Sequence, residues 1–197
     1  HDHVDHAEAV PAIRRHFPEA PLAGARGSVD ILLSDGSRFG PVEAVPTPGH
    51  SPDHLALVTF ERAPVGSGEV IFSGDAVLGE GSVFIMPDPG ALASYLEALE
   101  RLRERRLALL CPGHGPLVHD VAAKLDEYVS HRLARERRLI TALDAGRRTV
   151  GELLEDAWSD APVALRPAAA ATLAAHLDKL ADEGRLPDGV ERPRISL

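Results

Sequence analysis

The chain has 197 residues, 44% of them hydrophobic, and a formal net charge of −9, enough for one domain of ordinary size or a domain with a small appendage. That balance excludes the basic footprint that non-specific nucleic-acid binding needs, and no apolar run approaches the ~20 residues of a membrane span. The single cysteine, Cys111, excludes an internal disulfide framework and fits a reducing compartment. Residues 1–130 carry 10 Lys and Arg against 19 Asp and Glu, the whole of the net charge, whereas residues 131–197 balance at 11 of each. With no targeting segment visible, a cytoplasmic location is expected. The only methionine is internal, Met86, so further residues are expected upstream of His1. Abundant Ala, Leu, Arg and Pro fit a high-GC bacterial source.

The chain opens on "HDHVDH", in which five of six side chains can ligate a metal. In an extended segment His1 and His3 point the same way, because side chains alternate with period two. Asp5 and His6 follow where the chain is expected to turn into a helix near Ala7. Val29–Leu33 reads as a strand, with "SDGS" after it as a hairpin signal. Val42–Val45 leads into "PTPGHSPDH", Leu55–Phe60 reads as a buried strand, Pro64–Gly68 as a turn, and Val70–Phe72 as a strand ending in "SGD".

Helices follow. Asp88 with Pro89 predicts a helix start, and Leu92, Leu96, Leu99 and Leu102 make its apolar stripe. Leu107–Leu110 is a short strand running into "CPGHGP". A long helix is expected from Val118 to Ala145, with Gly146 as its stop. Arg132, Arg135, Arg137 and Arg138 on it read equally as an anion-binding edge or as i,i+4 partners on a solvated face. Thr149 and Glu152 spell a capping box, and Pro167 opens a last helix with the stripe Leu173, Leu177, Leu180, closed by Gly184. These short helices resemble a small winged-helix unit. Their last helix sets Lys179 against Asp178, Asp182 and Glu183, so sequence-specific DNA reading is not expected.

Chemistry concentrates at strand ends. His50 lies in "TPGH", Asp75 in "FSGD" and His114 in "CPGHG", each beside a glycine that lets the backbone turn sharply. Singly these are weak signals; their order after HDHVDH is not. Imidazole and carboxylate together suit zinc, and less selectively iron or manganese.

The stretches "PTPGHSPDHLAL", "IFSGDAVLGEGSVF", "CPGHGPLVHDVAAKLDEYVSHR" and "LAAHLDKLADEGRL" resemble the metallo-β-lactamase superfamily, and within it the beta-lactamase-like protein 2 branch. The resemblance implies an α/β fold, an αβ/βα sandwich that is N-terminally incomplete here because the family places strands before HDHVDH. It also implies a metal-binding catalytic domain over residues 1–130 and a winged-helix-like domain over 131–197. Carried over position by position, it puts His1, His3 and His50 on one metal, Asp5, His6 and His114 on a second, and Asp75 between them, with two zinc ions expected. Two cations ~3.5–4 Å apart share and acidify a bridging water, giving hydroxide near neutral pH. Asp5 and Asp75 are the catalytic candidates, and Ser51, His54 and His119 are candidate substrate contacts. Cys111 reads as a small strand-end residue; His16, His131 and His176 read as surface or packing residues.

The leading expectation is a metal-dependent hydrolase of an ester, thioester or phosphodiester, with a small-molecule substrate favoured by the acidic first 130 residues. Single-stranded RNA cleavage, known in the same branch, is the chief alternative. A mononuclear iron persulfide dioxygenase, with two histidines and an aspartate on the iron, and a non-catalytic remnant of the fold are the others.

Overall fold

The computed structural model describes residues 1–62 and 68–195. The turn expected at Pro64–Gly68 lies outside the described residues, Gly68 excepted. The chain begins with two short helices, α1 (Val4–Ala7) and α2 (Val10–His16), followed by strands β1 (Ala23–Gly24) and β2 (Ile31–Leu32), which pair parallel. Five further strands make the main sheet: β3 (Arg38–Phe39), β4 (Val42–Pro46), β5 (Leu55–Arg62), β6 (Glu69–Gly74) and β7 (Leu107–Pro112). They lie in sequence order, antiparallel from β3 to β6 and parallel between β6 and β7. The parallel pair is joined by helix α3 (Ala91–Arg103), as a parallel connection requires.

One face of the sheet is sealed. Val45, Ala56, Val58, Ile71 and Leu110 alternate onto it and pack with Leu92, Tyr95, Leu99 and Leu102 of α3. Val121, Leu125 and Tyr128 of helix α4 (Val121–Asp144) complete that core. Residues on the opposite face are less covered, and Phe72 there is 47% exposed. The main sheet therefore carries α3 and α4 on one face.

A second core lies past the middle of α4. Leu139, Ala142 and Leu143 of the same helix pack with Leu153 and Ala157 of α5 (Val150–Ala157) and Leu173, Leu177 and Leu180 of α6 (Arg166–Asp182). One uninterrupted helix thus serves both cores. Thr149 caps α5 through the reciprocal bonds expected of a capping box. No helix among the described residues is long and apolar enough to cross a membrane.

Four local expectations are corrected. The helix expected near Ala7 starts at Val4, because the His3 carbonyl accepts the N–H groups of His6 and Ala7, each at 3.0 Å. Only Ile31 and Leu32 of Val29–Leu33 are strand, and "SDGS" does not join a hairpin. The hairpin is β3–β4, turned at Gly40 with φ +56°, while Gly36 N–H bonds the Ala44 carbonyl at 3.0 Å. Helix α3 starts two residues after Pro89, because Gly90, at φ +71°, occupies the cap position in a left-handed conformation. Helix α4 starts at Val121 rather than Val118, because Val118 is bridged to Leu110 of β7 and Asp120 caps the helix by accepting from Ala123 N.

Candidate metal centre

The rim of the sheet gathers its ligand candidates from four places. The N-terminal turn brings His1, His3, Asp5 and His6; the loop between β4 and β5 brings His50; the end of β6 brings Asp75; and the end of β7 brings His114. They fall into two groups, His1–His3–His50 and Asp5–His6–Asp75–His114, and in each the candidate donor atoms lie within 4.8 Å of one another. All seven metal candidates of the sequence are therefore brought together.

Asp75 stands between the groups. Its Oδ2 is 3.3 Å from His6 Nε2, 3.5 Å from His50 Nε2 and 3.8 Å from His1 Nε2. Its Oδ1 is 3.6 Å from His114 Nε2. In the first group, His3 Nδ1 lies 3.0 Å from both His1 Nε2 and His50 Nε2. In the second, Asp5 Oδ2 is 3.1 Å from His114 Nε2.

These groups fit a cation. Asp75 Oδ1 is buried and has no hydrogen-bond partner among the described residues, a condition that costs roughly 1–3 kcal/mol or more for a charged group. Three imidazole nitrogens also converge in the first group, where at most a shared proton could separate their lone pairs. A divalent ion in each group would satisfy these atoms, and nitrogen with carboxylate oxygen is the donor mixture that zinc accepts.

Backbone contacts orient the candidate donors. The Phe84 carbonyl lies 3.3 Å from His50 Nδ1; a carbonyl only accepts, so Nδ1 carries the proton and Nε2 keeps its lone pair for the site. Burial pushes the pKa of His50 down, which also favours the neutral ring. Close approach explains two glycines. A Cβ on Gly113 would stand 2.6 Å from Asp75 Oδ1, and one on Gly74, at φ +50°, would stand 2.7 Å from His54 Nε2.

His54 is 1% exposed. Asp75 N–H donates to its Nε2 at 2.9 Å, so its Nδ1 carries the proton and donates to Thr47 Oγ1 at 2.7 Å. Burial pushes its pKa down to about 3, so the ring is neutral. With both nitrogens engaged by the protein, His54 positions Asp75 and has no polar atom left for a substrate. Ser51 is 2% exposed and its hydroxyl donates to Asp53. His119 is exposed and belongs to neither donor group. Cys111 also stands outside both groups, and burial raises its thiol pKa, which makes it a poor ligand or nucleophile.

Several supporting residues escaped sequence reasoning. Arg26 bridges Asp2 at 2.9 Å and Asp53 at 2.8 Å, tying the HDHVDH segment to the His50 loop. Nothing in the spacing of Arg26 announces this. Thr47 was open to inference: Pro46 pairs with Leu55 in the β4–β5 ladder, and one step on Thr47 faces His54.

Comparison with known proteins adds the lineage. Residues 25–114 match the metallo-beta-lactamase superfamily and residues 149–188 the beta-lactamase associated winged helix domain. Over 145 residues the chain is 34% identical to a beta-lactamase-like protein 2 homolog of Caenorhabditis elegans, covering 73% of this chain and 45% of that protein. Over 157 residues it is 36% identical to an atrochrysone carboxyl ACP thioesterase of Aspergillus chevalieri, covering 75% of this chain and 47% of the other. The crystal structure of a metallo-beta-lactamase family protein from Thermus thermophilus matches with a TM-score of 0.63 at 26% identity, over 92% of this chain and 62% of that one. The chain spans about half the length of the curated relatives it matches. By these matches the chain belongs to the metallo-beta-lactamase superfamily and carries the beta-lactamase associated winged helix domain.

Proposed function

We propose that the site is a dinuclear metal centre that hydrolyses a thioester or related ester. The observation that carries this reading is Asp75, whose Oδ2 stands between the two donor groups, 3.3 Å from His6 and 3.5 Å from His50, and whose Oδ1, on the His114 side, is buried without a hydrogen-bond partner among the described residues. His1, His3 and His50 would hold one ion, Asp5, His6 and His114 the other, with Asp75 shared; zinc is the first expectation, and iron or manganese suits the same donors. A bound pair of such ions supplies a water acidified toward neutral pH and a Lewis acid for the scissile carbonyl.

The chain's own residues set the rest. The side chains of His1, His50 and Asp75 are at most 9% exposed, whereas those of Asp5 and His114 are 55% and 51% exposed. Substrate therefore approaches from the Asp5–His114 side. There the Asp5 carboxylate is an open acceptor able to orient a water proton. The histidines of the first group are held from behind, His50 by the Phe84 carbonyl, and need not move during turnover.

The thioesterase named among the relatives, 36% identical over 157 residues, supports a thioester as the scissile group. The concentration of the net charge of −9 in residues 1–130 counts against a polyanionic RNA substrate. Elemental analysis of the full chain, together with turnover of acyl thioesters, aryl esters and short single-stranded RNA, tests the reading. Near two ions per chain, about one in His114→Ala, and at least a ~10³-fold loss of thioester turnover in Asp75→Ala are expected, the removal of several kcal/mol of transition-state stabilisation. A metal-free protein, or one iron that His114→Ala leaves in place, overturns it. RNA cleaved in preference to thioesters moves the reading to the nuclease alternative.

A further inference from the structure

Behind the metal rim lies a pocket of about 200 Å³ between the loop after β6, helix α4 and the winged helix unit. Phe84 is shared: it lines this pocket, and its ring stands 4.7 Å from that of His50. The pocket and the candidate metal centre therefore have a common wall.

Arg132 sets the chemistry of the pocket. It is 2% exposed and lines the cavity, and its Nε is buried without a hydrogen-bond partner among the described residues. Its Nη2 donates to Ser82 Oγ at 2.8 Å and to the Val83 carbonyl, and its guanidinium lies 5.6 Å from the Tyr95 ring centre. Every one of these partners is uncharged, and no carboxylate of the described residues is paired with Arg132. A buried cation without a counter-ion is costly, and arginine cannot escape the cost by losing its proton. Arg135, next along the wall, differs because Asp160 holds it through two bonds of 2.5 and 2.9 Å. The wall thus keeps one uncompensated positive charge inside an acidic protein.

The remaining lining narrows the ligand. Ser82 Oγ and His131 Nδ1 stand 3.4 Å apart beside Arg132. Burial, helped by the neighbouring arginines, pushes His131 down to about 4, leaving a neutral ring that can donate. Phe84, Trp158, Leu165 and Ala168 supply apolar walls. The volume equals that of about seven waters at ~30 Å³ each, room for one small ring and its substituent. A charged donor at one end of a mostly apolar cavity is the usual arrangement of a small-molecule site.

We infer that this pocket binds a small apolar carboxylate of the benzoate type, its carboxylate against Arg132, Ser82 and His131 and its body between Phe84 and Trp158. The inference goes beyond the hydrolase reading and does not depend on it, since binding here needs neither metal nor turnover.

Trp158 lines the pocket and is the chain's single tryptophan, so its fluorescence reports occupancy directly. The full chain carrying Asp75→Ala is titrated with sodium benzoate, benzamide and inorganic phosphate. Benzoate is expected to saturate at roughly millimolar concentration or below, with benzamide at least tenfold weaker and phosphate silent. Arg132→Gln is expected to weaken benzoate tenfold or more. Because Arg132 also holds Ser82 and Val83, Ala168→Leu serves as the second variant. It narrows the cavity with Arg132 in place, and the same tenfold loss is expected with an unchanged circular dichroism spectrum. Benzamide binding as well as benzoate, phosphate saturating where benzoate does not, no saturable change, or full affinity in Ala168→Leu would each overturn the inference.

Discussion

Two buried carboxylates, one in each half of the molecule, are surrounded in opposite ways. Glu136, 8% exposed in α4, faces permanent cations: Lys179 Nζ at 3.1 Å and Arg185 Nη1 at 3.7 Å, with His176 at 3.8 Å. Contact with His176 and Lys179 holds its carboxyl at about 2, well below the ordinary 4.5. The Asp75 carboxylate, in a residue 6% exposed, meets no ionisable group but imidazoles among the described residues, those of His1, His6, His50 and His114. Imidazoles are neutral through most of the physiological range. The helical half therefore carries its own counter-charge, while the sheet half gathers lone pairs and a carboxylate around a place for a cation. Burial alone does not separate a structural acid from a ligating one; the permanence of the neighbouring charge does.

The contrast is tested first from the structural side. Glu136→Gln leaves Lys179 and Arg185 with Glu183, 2.6 and 2.8 Å away, but removes the negative charge that faces them and His176. A cost of about 2 kcal/mol is expected, below the 3–5 of a fully broken buried pair because Lys179 keeps one partner. Thermal melting should shift down by roughly 4–8 °C for a chain of this size. Bound metal should not change. The folded pKa is depressed, so the stabilisation is present above the ordinary 4.5 and fades as pH falls toward 2. Melting curves of the two proteins should therefore converge across that window. A gap that persists at pH 2, or a loss of metal at neutral pH, would erase the distinction between the two carboxylates.

A second test strikes the support of Asp75 rather than Asp75 itself. His54→Ala removes the acceptor of the Asp75 N–H and the donor to Thr47. Outer partners of this sort are worth about 10–100-fold in metal affinity, and competition with a chelator should show a loss in that range. His54→Gln offers an amide oxygen to the same N–H and should recover part of it. Equal metal affinity in all three proteins would mean that His54 only fills space.

The two donor groups were legible because their three downstream members each follow a strand and lie beside a glycine, a pattern set by backbone sterics that shows in a one-dimensional sequence. Strands β4 to β7 and the apolar stripe of α3 were legible for the same local reason, the period of their hydrophobic residues. Arg132 and Arg135 were not. A run of arginines on a helix reads equally as an anion-binding edge or as a solvated face, and neither reading foresees burial, yet the two halves of the molecule close over one side of α4 and bury both, at 2% and 6% exposure. Arg26 escaped for a related reason: its partners Asp2 and Asp53 lie 24 and 27 residues away, and only the fold brings them together. The start of α3 was misplaced because the conformation of Gly90 outweighs the capping tendency of Asp88 two residues earlier.

The smallest effect is expected farthest from the rim. Thr149 Oγ1 accepts from Glu152 N at 3.4 Å while Glu152 Oε2 accepts from Thr149 N at 3.1 Å, closing the capping box of α5. Those bonds satisfy N–H groups that the first turn of a helix leaves unpaired. Thr149→Ala removes one of them at an exposed position, where solvent replaces part of what is lost. About 1 kcal/mol is expected, or a melting shift of roughly 2–4 °C. Leu153 and Ala157 of α5 pack into the second core with α4 and α6, so fraying of the first turn has no direct path to the ligands on the sheet rim. Metal content and thioester turnover should match the unsubstituted chain within error. If Thr149→Ala lowers either one, the helical half does more than support itself, and the division drawn from Glu136 and Asp75 fails at its weakest-coupled point.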